Sequence, residues 1–130
     1  MTDTREARTT AIRTLNDAAR AHPGALCRCS ITLGVDALPI ADRIAILRQI
    51  VTYDAFTDDN DPHNEHDFGS LYRLASGAWT PERPDDADQI AQTVCWKFDY
   101  YDLALEFGSA EPWNAAATAR VLTIMLASEY

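Results

Sequence analysis

Residues 58–69, DDNDPHNEHDFG, set five carboxylates, two imidazoles and two carboxamides in twelve positions, with no Lys or Arg among them. Such a set could ligate a metal, exchange protons, or present a row of negative charge to a cationic partner. The metal reading takes His63, His66 and Asp67, with Asp58, Asp59, Asp61 or Glu65 as further oxygen donors, because imidazole and carboxylate suit zinc, manganese or iron. Its spacing is weak support. His-x-x-His outside a helix has nothing to aim both rings at one point, and the H-E-x-x-H order is absent. A calcium loop counted from Asp59 fails at His63, at Asn64 in place of the turn glycine, and at Ser70 in place of the bidentate Glu.

Proton transfer would need Glu65 opposite Asp99, helped by His66 and Lys97, with the loop folded over the strand that carries the latter pair. The simpler expectation is that Lys97 holds a loop carboxylate in a salt bridge. No nucleophile elbow, phosphate-cradling loop or Cys-His signature occurs in the chain. Neither a catalytic residue nor a cofactor is therefore assigned. Docking asks least of the geometry. Asp58, Asp59, Asp61, Glu65 and Asp67, rimmed by Tyr101 and with Tyr100 or Trp79 near by, would meet a partner's Arg and Lys. Asn60, Asp61 and Pro62 supply turn chemistry that could stiffen the segment.

The overall charge agrees with this ranking. The 130 residues carry a net charge of −9, unevenly placed: residues 1–50 hold seven Arg against five acids, residues 51–130 four basic against fifteen acidic groups. An anionic surface repels nucleic acid and anionic membranes, so a basic protein surface is the expected partner. The opening MTDTREARTT is no signal peptide, and no apolar run approaches the roughly 20 residues that span a bilayer. A cytoplasmic protein is expected.

The elements that must position the loop follow from periodicity. A helix is expected over residues 4–21, with Asp3 and Glu6 in its cap, Ile12, Leu15, Ala18 and Ala19 on its apolar stripe, and Pro23-Gly24 ending it. ALCRCSITLGV alternates with Ala25, Cys27, Cys29, Ile31, Leu33 and Val35 on one face, which predicts a strand with both thiols buried as small hydrophobes. A second helix starts near Pro39 and should bury Ile40, Ile44, Leu47, Ile50 and Val51. SLYRLA is a strand, and residues 76–90 an exposed connection. TVCWKFDYYD turns Val94, Trp96, Phe98 and Tyr100 one way and Cys95, Lys97, Asp99 and Tyr101 the other, with LALEFG pairing back as a hairpin. Asn114 should cap a C-terminal helix through Val121, Leu122, Ile124, Met125 and Leu126.

The resulting expectation is a single α+β domain over residues 1–130. It has a small, mainly antiparallel sheet of three or four strands, helices on one face, and the order α-β-α-β-β-β-α. Arg5, Arg8, Arg13 and Arg20 on the first helix, or an open edge strand, could support a homodimer.

NDPHNEHDFG, WKFDYYD and RVLTIMLASEY together resemble a family of small uncharacterised alphaproteobacterial proteins, often borne on plasmids and mobile elements. The resemblance runs from the first helix to the terminus and implies no activity, since the family is a domain of unknown function. It implies that residues 76–90 are an insertion, making any role of Asp85, Asp86 and Asp88 particular to this chain. A mobile-element setting points to an accessory or counter-defence role. The expected function is thus a non-enzymatic acidic inhibitor, anti-CRISPR-like, that occupies a partner's basic nucleic-acid-binding surface. The alternative is a metal-dependent hydrolase or nuclease on the His63/His66 loop.

Overall fold

The computed structural model describes residues 4–130, so Asp3 and its expected part in the first cap lie outside the described residues. Helix α1 spans Arg5–Ala21, and Thr4 caps it by accepting the Ala7 N–H at 3.0 Å, a contact worth about 1 kcal/mol. Strand β1 (Arg28–Ile31), a one-turn helix α2 (Leu33–Asp36) and helix α3 (Ile40–Val51) follow. The remaining strands are β2 (Phe68–Leu74), β3 (Trp79–Thr80), β4 (Ile90–Tyr101) and β5 (Ala119–Leu126).

The fold is α+β, built on one five-stranded sheet in the order β1-β5-β4-β2-β3. The sheet is mixed rather than mainly antiparallel. β4 pairs antiparallel with β2 and β5, whereas β1 lies parallel to β5, with Arg28 opposite Val121 and Ile31 opposite Ile124.

The largest correction concerns the C-terminus. The expected helix is β5, the second strand of the sheet, and Asn114 caps only a 3₁₀ turn over Ala115–Ala117. The apolar run that suggested a helix is apolar on both sides because Leu122 and Ile124 enter the core while Met125 is buried on the opposite face. A strand covered on both faces loses the alternation that would betray it.

LALEFG is likewise a turn, not a strand. Asp102 N donates to Phe107 O, the Asp102 carboxylate accepts from Glu106 N, and the one ladder contact is Tyr101 with Gly108. Residues 76–90 are not a bare connection, since Trp79 and Thr80 pair with Arg73 and Tyr72 as an edge strand.

The alternation read for β4 holds. Val94, Trp96 and Phe98 join Leu71, Leu122 and Ile124 in the core, where Ala19, Val35, Ile46, Ile50 and Tyr53 from the helical side cover them. Helix α3 differs from expectation. It buries Ile46 and Ile50 and leaves Ile40, Ile44 and Leu47 exposed. β1 also departs from its expected burial, because it is a four-residue edge strand. Cys27 is half-buried, with its thiol at 3.6 Å from the Ala19 carbonyl, but Cys29 and Ile31 are exposed.

One close approach fixes β2 against β4. A Cβ on Gly69 would stand 2.6 Å from Trp96 Nε1 and 2.7 Å from Tyr53 Cζ, so only a hydrogen fits between these rings. Gly69→Ala should therefore lower unfolding stability by about 1–3 kcal/mol. Urea denaturation read by Trp fluorescence measures this, and an unchanged midpoint would contradict the packing.

Candidate functional site

Residues 54–67 run from the end of α3 to β2 with no regular structure, so side chains must satisfy their backbone. Asn60 does this at the first bend: its Oδ1 accepts from Thr57 N at 2.8 Å, its Nδ2 donates to Ala55 O at 2.8 Å, and its own N–H reaches Thr57 Oγ1. Asp61 does the same at the second. Its Oδ1 accepts from Glu65 N at 3.1 Å and His66 N at 3.2 Å, and its Oδ2 stands 3.7 Å from His66 Nε2. This bend needs left-handed backbone at Asn64 (φ 56°) and His66 (φ 55°). Asn tolerates that region well, and the Asp61 bonds hold His66 in it.

The loop is then tied to helix α1. His66 stacks flat on Phe56 with centroids 3.8 Å apart, and its Nδ1 meets Asp17 Oδ1 at 2.8 Å. Arg20 also binds Asp17, at 3.1 Å, donates to Tyr53 O, and lies over the rings of Phe56 and Trp96. Arg13 donates to the Asn64 carbonyl at 3.0 Å.

Behind the loop lies a second polar network, within the protein. Asn16, with no exposed surface, donates to Glu65 O at 3.1 Å and Tyr100 Oη at 2.8 Å, and accepts from Arg120 Nε at 2.9 Å. Tyr100 in turn donates to Glu65 Oε1 at 3.1 Å, while Arg120 also donates to the Pro112 carbonyl. Burial raises the Glu65 carboxyl above its usual range, against the Tyr100 bond that favours its charge, and raises the Tyr100 hydroxyl as well. The same burial lowers the Arg120 guanidinium.

The five carboxylates of the loop therefore divide. Asp58 and Asp59 are exposed at its tip, Asp61 is buried as a strut, and Glu65 and Asp67 are half-buried, with Asp67 also raised by burial. The expectation of a uniformly outward row is corrected on this point. Beside the tip, Phe56, Thr57, Asp58, Asp61, Pro62, Asn64 and His66 line a polar cleft of about 300 Å³.

The metal set does not assemble. His63 is exposed, His66 is engaged with Asp17, and among the described residues no three His, Cys, Asp or Glu side chains are grouped to hold an ion. The Glu65–Asp99 pair is not formed either, since Tyr100 is the β4 partner of Glu65 and the neighbouring Asp99 points to the other sheet face. Lys97 pairs with Asp99 at 2.8 Å rather than with a loop carboxylate, and this bond raises its ammonium. Tyr101 shares their face, with no hydrogen bond to residues 58–67 among the described residues. Trp79 is buried, its indole N–H on Asp42, so it forms no rim.

Asn16 and Arg120 were missed as site residues, and Arg20, expected as a contact to a second copy, is instead buried against Asp17 and the Tyr53 carbonyl. The signal was present: Asn16 and Arg20 lie on the stripe of Ile12 and Ala19, so polar groups there must enter the core.

Two outcomes test this geometry. Asp61→Ala should cost about 1–2 kcal/mol, as lost caps do, and speed hydrogen exchange at the Glu65 and His66 amides first. Uniform exchange across the loop would refute the strut. Because the folded protein holds a proton on Glu65 more tightly than the unfolded chain, its contribution is fully present below the usual glutamate value of 4.5 and lost as pH rises through the folded value. Glu65→Gln keeps an acceptor for Tyr100 without the charge, so melting curves of the two proteins should coincide in acid and separate above it, with the variant more stable. Parallel profiles at every pH would contradict the assignment.

A profile of the family described as "Protein of unknown function (DUF3768)" matches residues 31–129. No curated protein and no solved structure matches the chain.

Proposed function

The chain belongs to this family of unknown function, DUF3768, matched over residues 31–129, and from that premise we propose that it is a non-enzymatic acidic docking protein. The loop tip meets a basic surface on a partner protein. The observation that carries this reading is the pairing of exposure with rigidity: Asp58 and Asp59 are exposed on a bend that Asn60 and Asp61 hold by side-chain bonds. A loop already ordered loses little conformational freedom on binding, so its charge translates into affinity and specificity.

The roles are distinct. Asp58 and Asp59 contact the partner, and the adjoining cleft, with Asp58 and Asp61 in its wall, receives an Arg or Lys side chain. Asp61 acts as the strut, while Glu65 and Asp67 add negative potential from behind. Tyr101, at the C-terminal end of β4, adds a contact from the sheet face it shares with Lys97 and Asp99. In its sharpest form the protein acts in the cytoplasm as an inhibitor that covers a surface otherwise used for nucleic acid, the counter-defence role that the mobile-element resemblance implies. Further exposed acids at Glu82, Asp85, Asp86 and Asp88 lie toward the opposite end of β2 from the loop.

Immobilised protein exposed to nuclease-treated host extract provides the test, beside an Asp58→Lys/Asp59→Lys variant whose melting temperature is matched. The wild type should retain a nucleic-acid-binding protein that elutes with salt and with added DNA, and the variant should lose it by about tenfold or more. Equal retention by both proteins overturns docking through this loop.

A further inference from the structure

The outer face of α3 is at odds with the rest of the helix. Ile40, Ile44 and Leu47 are 66%, 48% and 39% exposed while Ile46 and Ile50 fill the core. Their spacing of four and three, continued by half-buried Val51, is the seam through which one helix receives another. A groove of about 530 Å³ runs alongside, lined by Ile44, Leu47, Arg48, Gln49, Val51 and Thr52.

The charges at its rim select the occupant. Arg43 and Arg48 flank the seam. Among the described residues Arg43 pairs with the exposed Asp36 at 3.6 Å and Arg48 makes no ion pair. The helix's one acid, Asp42, is turned away, accepting from Trp79 Nε1 at 3.0 Å and facing Arg73 Nε at 3.4 Å. A basic rim on a protein of net charge −9 is complementary to acids. A second copy of α3 brings none, because its own flanking positions are Ala41, Arg43, Arg48 and Ile50.

We propose that this face docks an amphipathic helix of another protein, aliphatic at the same four-three spacing and carrying Asp or Glu on its flanks. Its lining shares no residue with the cleft of the acidic loop, so the protein has two docking faces of opposite sign.

The probe is a synthetic three-heptad peptide with Leu along its seam and Glu at the flanking positions, compared with one carrying Lys there. Fluorescence anisotropy with the intact protein should show saturable binding of the Glu peptide alone, weaker at high salt. Ile44→Asp/Leu47→Asp should weaken it by about tenfold or more, and Arg48→Glu should shift preference toward the Lys peptide. Both variants change exposed positions, and unaltered melting curves show that folding is kept. Absence of binding, equal binding of the two peptides, or indifference to the seam variants overturns the proposal. So does a dimer in sedimentation equilibrium that Ile44→Asp/Leu47→Asp dissolves, because the face then serves a second copy.

Discussion

A buried guanidinium organises this molecule. Arg120 stands at the start of β5, opposite Tyr100 and 6% exposed, and must be solvated by protein instead of water. Asn16 on α1 and the Pro112 carbonyl take that role, and Asn16 passes the polarity on to Tyr100 and to the Glu65 carbonyl. One carboxamide thereby joins α1, β4, β5 and the loop. Each partner is exposed to a large penalty if any other is removed, because a buried polar group without its bond costs more than the bond itself contributes.

The loop inherits its shape from that arrangement and from a second one around Asp17. His66, Arg20 and Asp17 lock the outer half of the loop to the helix, while Phe56 supplies a flat surface for both the imidazole and the guanidinium. Local bonds set the two bends; long-range bonds set where they sit. The acidic tip is thus separated from the groups that hold it. Charge can be displayed at Asp58 and Asp59 without any of it being used in the supporting framework.

What the sequence disclosed depended on whether one face or two were covered. β4 was legible because its far face, although it buries Cys95, carries Lys97 and Asp99, which keeps polar residues alternating with Trp96, Phe98 and Tyr100. β5 was not, because Met125 is buried opposite Leu122 and Ile124, and an alanine-rich approach supplied the wrong local preference. α3 was recognisable as a helix, but aliphatic residues on both its sides left the choice of inner face to tertiary packing. In the loop, Asn60 and Asp61 announced a turn by type alone. Which acid points inward was hidden, since it depends on the left-handed backbone at Asn64 and His66.

Helix α1 lies outside the stretch that the family profile matches, yet supplies the loop's inner partners. The contacts it makes link residues 84 and 104 positions apart, and the parallel pairing of Arg28 with Val121 spans 93. Contacts of such separation carry the greatest closure entropy. The two bends and the β2–β4 and β4–β5 ladders are thus the part of the fold closed between nearer neighbours, whereas the seating of the loop on α1 and the pairing of edge strand β1 are closed across most of the chain.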